Sequence, residues 1–92
     1  MRKRVHVFYS GRVQGVGFRM TAEETARSFD VVGWVKNLRD GRVEVVAEAE
    51  EPALKRFLQA LQDGPMKNFI QRTEIAWGVA TEAFDEFETR YY

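Results

Sequence analysis

Val5-His6-Val7-Phe8-Tyr9 is a β-branched and aromatic run that predicts a first strand. Ser10 to Gly17 breaks the pattern with Gly11, Gly15 and Gly17, a composition that suits a loop. From Phe18 the period becomes helical: Phe18, Ala22, Ala26 and Phe29 recur at one-turn spacing, with Glu23, Glu24, Arg27 and Ser28 between them. Glu23 and Glu24 are expected near the helix start, where the dipole favours carboxylates. Val31 to Leu38 predicts a second strand, Asp40-Gly41 a tight turn, and Arg42 to Ala49 the returning strand. Glu50-Glu51-Pro52 then supplies acids and a proline suited to a first helical turn. The stripe Leu54, Phe57, Leu58 and Leu61 follows, and Gly64-Pro65 stops it. A fourth strand is expected over Ile70 to Ala80, with Thr73, Ile75, Trp77 and Val79 on one face, and a short terminal strand over Phe87 to Tyr91.

The resulting order, βαββαβ, predicts an α+β, ferredoxin-like split βαβ sandwich: an antiparallel sheet with two helices on one face. The second strand is expected to pair beside the first. No repeat or composition break divides residues 1–92, so a single domain is expected.

Composition narrows the function classes. The chain has 92 residues, of which 45% are apolar, enough for a core and too many for a disordered segment. Lys plus Arg and Asp plus Glu are 14 each, so no global field recruits nucleic acid or a membrane surface. The first twenty residues nevertheless carry Arg2, Lys3, Arg4, Arg12 and Arg19 with no acid. There is no Cys, which removes disulfides, thiolate catalysis and Cys-ligated zinc. No apolar run approaches the roughly 18 residues of a membrane helix, and Val5 to Tyr9 is too short for a signal core. A cytoplasmic monomer is the expectation. His6, the sole histidine, lies inside the first strand and is expected to be structural or exposed, and Trp34 and Trp77 to be core or sheet-face aromatics.

The chemistry concentrates in Gly11-Arg12-Val13-Gln14-Gly15-Val16-Gly17-Phe18-Arg19. Between a strand and a helix N-terminus, such a segment can turn several backbone N–H groups into one concavity, and Arg19 can present a planar fork to a tetrahedral anion. Glycine spacing alone would equally serve a flexible crossover loop.

The whole run resembles the acylphosphatase signature. A second signature of that family is matched by Gly33-Trp34-Val35-Lys36-Asn37, followed by Asp40-Gly41-Arg42-Val43-Glu44. The resemblance implies a metal-free hydrolase, with no cofactor, that cleaves the carboxyl–phosphate anhydride of a small-molecule acyl phosphate. The amides of Gln14, Gly15, Val16, Gly17 and Phe18, with Arg19, would bind the phosphoryl oxygens; Asn37 would orient the attacking water. Arg19 and Asn37 are thus the implied catalytic pair, and inorganic phosphate or sulfate the implied product-like ligand. Two stretches depart from the family: Phe29 to Gly33 lacks its usual leucine- and glycine-rich link, and Met66 to Gln71 lacks its small-residue and valine pattern.

Three rival readings compete with this one. A tyrosine-phosphatase mechanism needs a Cys six residues before the arginine, where Val13 stands. An RNA-binding βαββαβ domain needs aromatic, basic central strands, whereas Arg42 to Glu48 carries two acids and no ring. The remaining alternative is a non-catalytic anion-binding regulatory module of the same fold, which would have no need of a water-positioning Asn37.

Overall fold

The computed structural model describes residues 1–91. Its strands are β1 (Arg2–Gly11), β2 (Val32–Asn37), β3 (Val43–Glu50), β4 (Ile70–Val79) and β5 (Phe87–Arg90). The helices are α1 (Phe18–Ser28) and α2 (Glu51–Asp63), and a 3₁₀ turn over Lys67–Phe69 precedes β4. The alternation of burial along β1 follows the period of two: Val5, Val7 and Tyr9 are buried beneath the helices, while Arg4, His6 and Phe8 face outward. Phe18, Ala22 and Ala26 from α1, with Leu54, Phe57 and Leu61 from α2, close the core over that face. The helix starts as its sequence dictates in α2, with Glu51 in the first turn and Pro52 beside it. In α1 the first turn contains no acid, because Phe18 itself is the first helical residue and Glu23 lies beyond that turn. The expected dipole role of Glu23 and Glu24 is therefore corrected.

The sheet order is β4-β1-β3-β2-β5. Two expectations change here. β2 does not pair beside β1, since β3 lies between them, antiparallel to both. The sheet is also mixed, because β5 joins β2 in parallel, with Gly33 opposite Phe87 and Val35 opposite Thr89. Both changes matter for geometry. β1, β2 and β5 all run the same way, so their C-terminal ends emerge along a single edge of the sheet.

β4 and β5 are opposite edges, so the chain between them must cross the sheet. It does so over the outer face at the far end from the strand C-termini. The fully buried Glu48 of β3 anchors the crossing. Its carboxylate accepts hydrogen bonds from the Thr81 amide (2.9 Å), the Thr81 hydroxyl (2.8 Å) and the Glu82 amide (2.9 Å), and pairs with Arg4 at 3.3 Å. Burial alone would raise its pKa; these donors outweigh burial and hold the carboxyl below its ordinary value. The Glu86 carbonyl then accepts from Gly33 N–H at 3.0 Å, and Phe87 turns inward edge-on to Phe57.

Gly33 has no substitute here, since a Cβ at that position would sit 1.9 Å from the Val46 carbonyl oxygen. At the departure between Phe29 and Gly33, Asp30 takes a left-handed conformation (φ 55) that glycine ordinarily supplies.

Candidate active site

The shared edge of β1, β2 and β5 holds a cavity of about 260 Å³. It is lined by Val13, Gly15, Gly17, Phe18 and Arg19 from the loop and helix start, and by Asn37 at the end of β2. Met20, Glu23, Thr89 and Tyr91 complete the wall.

The loop's shape follows from its glycines. Gly15 (φ 75) and Gly17 (φ 85) both take left-handed conformations, which a side chain would strain, and Gly17 is the residue that caps α1. Thr21 N–H donates to the Gly17 carbonyl, the first bond of the helix. The amides ahead of it are left without intrahelical acceptors. Among the described residues, none of the amides from Gln14 to Arg19 donates to a protein acceptor. Such a row of free N–H groups at a helix start, on the positive end of its dipole, is an anion cradle in the physical sense. Beneath it, the Phe18 and Tyr9 rings pack 4.9 Å apart. Burial pushes the Tyr9 phenol well above its ordinary pKa, so it stays neutral and is no candidate for a base.

Arg19 is half-buried on the first turn of α1, its guanidinium 5.1 Å from the centre of the Tyr91 ring. That contact is a cation–π one, and among the described residues the guanidinium N–H groups donate to no protein acceptor. Asn37 is on the inner face of β2 with Gly33 and Val35, one residue before the turn. Because β1 and β2 are separated by β3, the loop must reach over the start of β3 to meet Asn37. The Gln14 side chain makes that bridge: its amide donates to the carbonyls of Leu38 (2.7 Å) and Arg42 (2.9 Å), the two residues that bracket the β2–β3 turn. The turn itself is closed by Leu38 N–H on Arg42 O at 2.8 Å, and Arg42 N–H caps the Asp40 carboxylate at 3.1 Å.

A family model described as Acylphosphatase matches residues 5–89. This chain belongs to the acylphosphatase family. An acylphosphatase of Chloroflexus aurantiacus is 47% identical over 74 residues, 80% of each chain. One of Salinibacter ruber is 41% identical over 88 residues, 96% of this chain and 93% of that one. The crystal structure of acylphosphatase from Bacillus subtilis superposes with a TM-score of 0.90 at 35% identity, covering 97% of this chain and 99% of that one. The fold is accordingly the α+β, ferredoxin-like fold of the acylphosphatase family.

Of the residues singled out in the sequence, Gly15, Gly17, Phe18, Arg19 and Asn37 come together at this cavity. Gln14 and Val16 do not line it; Gln14 turns its side chain to the β2–β3 turn, and Val16 packs against the core. His6 is remote, on the outer face, with Nε2 at 2.6 Å from Glu44. Sequence reasoning missed Met20, Glu23, Thr89 and Tyr91. Glu23 was within reach, since it lies four residues after Arg19 and so on the same helical face. Thr89 and Tyr91 carried no local signal, because they reach the cavity only through the pairing of β5 with β2. No helix among the described residues is long and apolar enough to cross a membrane.

Proposed function

We propose that the chain is a single-domain hydrolase of acyl phosphates that works through the cavity at the C-terminal ends of β1, β2 and β5. Family membership carries the reaction, cleavage of a carboxyl–phosphate anhydride to a carboxylate and inorganic phosphate. The assignment of roles to residues rests on one observation: Gly15, Gly17 and Phe18, whose amides are free, border the same small space as Arg19 and Asn37.

In this reading the loop amides and the Arg19 edge grip the phosphoryl oxygens. As charge spreads over those oxygens in the loose transition state, donors already fixed in place stabilise it without reorganising. The Asn37 carboxamide holds the attacking water in line with the bond that breaks. The departing carboxylate is a weak base, so no general acid is required, and a phosphate oxygen of the substrate can take the water's proton. Neither a metal nor a cofactor has a part in these steps. Inorganic phosphate, the product, binds the same cradle as a competitive inhibitor. We take the enzyme to act as a cytoplasmic monomer, in keeping with its balanced charge and lack of cysteine.

The test is hydrolysis of benzoyl phosphate by pure protein in excess EDTA. Arg19→Ala should weaken phosphate inhibition and turnover together. Asn37→Ala should lower kcat by about 10²–10³ while changing KM little, the behaviour of a lost transition-state donor. Full kcat in Asn37→Ala would remove the water-positioning role, and a phosphate-insensitive wild type would remove the cradle.

A further inference from the structure

The cradle, Arg19 and Asn37 account for the phosphoryl group and the water, but not for the rest of the cavity wall. The residues left for the acyl portion of a substrate are Met20, Glu23, Thr89 and Tyr91. Three of these are neutral. Glu23 is a carboxylate in a space built for a dianion, and it faces the cavity half-buried rather than pointing to solvent. By helical spacing its cationic neighbours are Arg19, one turn back, and Arg27, one turn on. Among the described residues it forms an ion pair with neither; the Arg19 guanidinium is instead laid over the Tyr91 ring at 5.1 Å. Among the described residues the Glu23 carboxylate has no hydrogen-bond or salt-bridge partner. Its charge is therefore not tied up in an ion pair, and it acts on whatever enters the cavity it lines.

We infer that Glu23 selects substrates by the charge of their acyl group: it turns away acyl phosphates that carry a second negative charge there and favours those whose acyl group is neutral or cationic. This rests on the phosphoryl-site reading given above, and deepens it by naming a substrate class. The two ends of the cavity then have opposite preferences. The cradle end, with free amides and a guanidinium, takes the phosphoryl oxygens. The end one helical turn further on, at Glu23, rejects a carboxylate or phosphate and attracts an ammonium or an N–H donor. A charge on the acyl group about 6–8 Å from Glu23, in a partly screened cavity mouth, changes binding by about three- to tenfold. An effect of that size is enough to rank substrates without blocking any of them.

Three aryl substrates separate this from an effect on the phosphoryl group: benzoyl phosphate, 4-carboxybenzoyl phosphate and 4-(trimethylammonio)benzoyl phosphate. kcat/KM is measured for each with wild type, Glu23→Gln and Glu23→Lys. Comparing each variant with wild type on the same substrate cancels the intrinsic reactivity of the leaving group. Comparing the three substrates within one variant cancels any loss of folded protein. Relative to benzoyl phosphate, Glu23→Gln should raise the 4-carboxybenzoyl substrate and lower the trimethylammonio substrate, each by about three- to tenfold. Glu23→Lys should push both further in the same directions, and salt at about 0.5 M should shrink the differences. If both variants shift all three substrates by one common factor, Glu23 does not read the acyl group and the inference fails. If wild type hydrolyses none of the three, it is the acyl-phosphate reading that fails.

Discussion

The loop from Gly11 to Arg19 and the chain from Ala80 to Tyr91 arrive at the same cavity by opposite means. The loop is short and shaped largely by its own residues: left-handed Gly15 and Gly17 and the start of α1 set its course. The C-terminal segment has no such local device. It starts from the opposite edge of the sheet, crosses the outer face on a buried carboxylate, and only then runs beside β2 to deliver Thr89 and Tyr91. Chemistry that depends on backbone donors can be encoded in nine residues, whereas a cavity wall can be encoded by a strand pairing and an anchor far from the site.

Damage to the loop, or to Asn37 across the cavity from it, should therefore fall on turnover, and damage to the crossing should fall on stability. The largest expected effect is the loss of about 10²–10³ in kcat for Asn37→Ala, with the melting temperature close to wild type. Next is Glu48→Ala, which leaves the Thr81 and Glu82 amides, the Thr81 hydroxyl and Arg4 without their acceptor and should cost about 2–4 kcal/mol in chemical denaturation. Its effect on kcat in the folded protein should be small. A large fall in kcat with unchanged stability would invert the comparison.

Glu48 also gives a pH signature. Its folded-state pKa lies below the ordinary value of 4.5, so its stabilisation is present above that value and is lost as pH falls through the folded value. Urea midpoints recorded from neutral pH downward should fall more steeply in wild type than in Glu48→Gln. Parallel curves would show that another carboxylate carries the acid sensitivity.

Gln14→Ala probes the join between the loop and the β2–β3 turn. With both bonds to Leu38 and Arg42 gone, kcat should fall about tenfold through misplacement of Asn37, while competitive inhibition by phosphate stays near wild type. Equal loss of both would mean that the Gln14 bonds shape the cradle itself. The smallest effect is expected at Tyr91. Removing an exposed ring from the Arg19 guanidinium in Tyr91→Ala should raise the phosphate inhibition constant about two- to fivefold, and Tyr91→Phe should not. Equal changes in the two variants would place the contribution in the hydroxyl.

Much was legible in the residues before any folding. The alternation of Val5, Val7 and Tyr9, the helical stripes from Phe18 and from Leu54, and the Asp40-Gly41 turn each specify an element through short-range sterics and burial, and each element is present, although α1 ends at Ser28 and leaves Phe29 of the expected stripe as its cap. Arg19 and Asn37 are singled out by the resemblance of their two segments to the acylphosphatase signatures; glycine spacing alone leaves the loop equally open to a plain crossover. What could not be read was adjacency. Nothing near Asn37 says that β3 separates its strand from β1, and nothing near Tyr91 says that β5 runs parallel to β2. Strand order is settled by which pairings bury the most apolar face while satisfying every buried polar group, a property of the whole chain. That global choice brought Thr89 and Tyr91 to the cavity that Gly15, Gly17, Arg19, Glu23 and Asn37 also line.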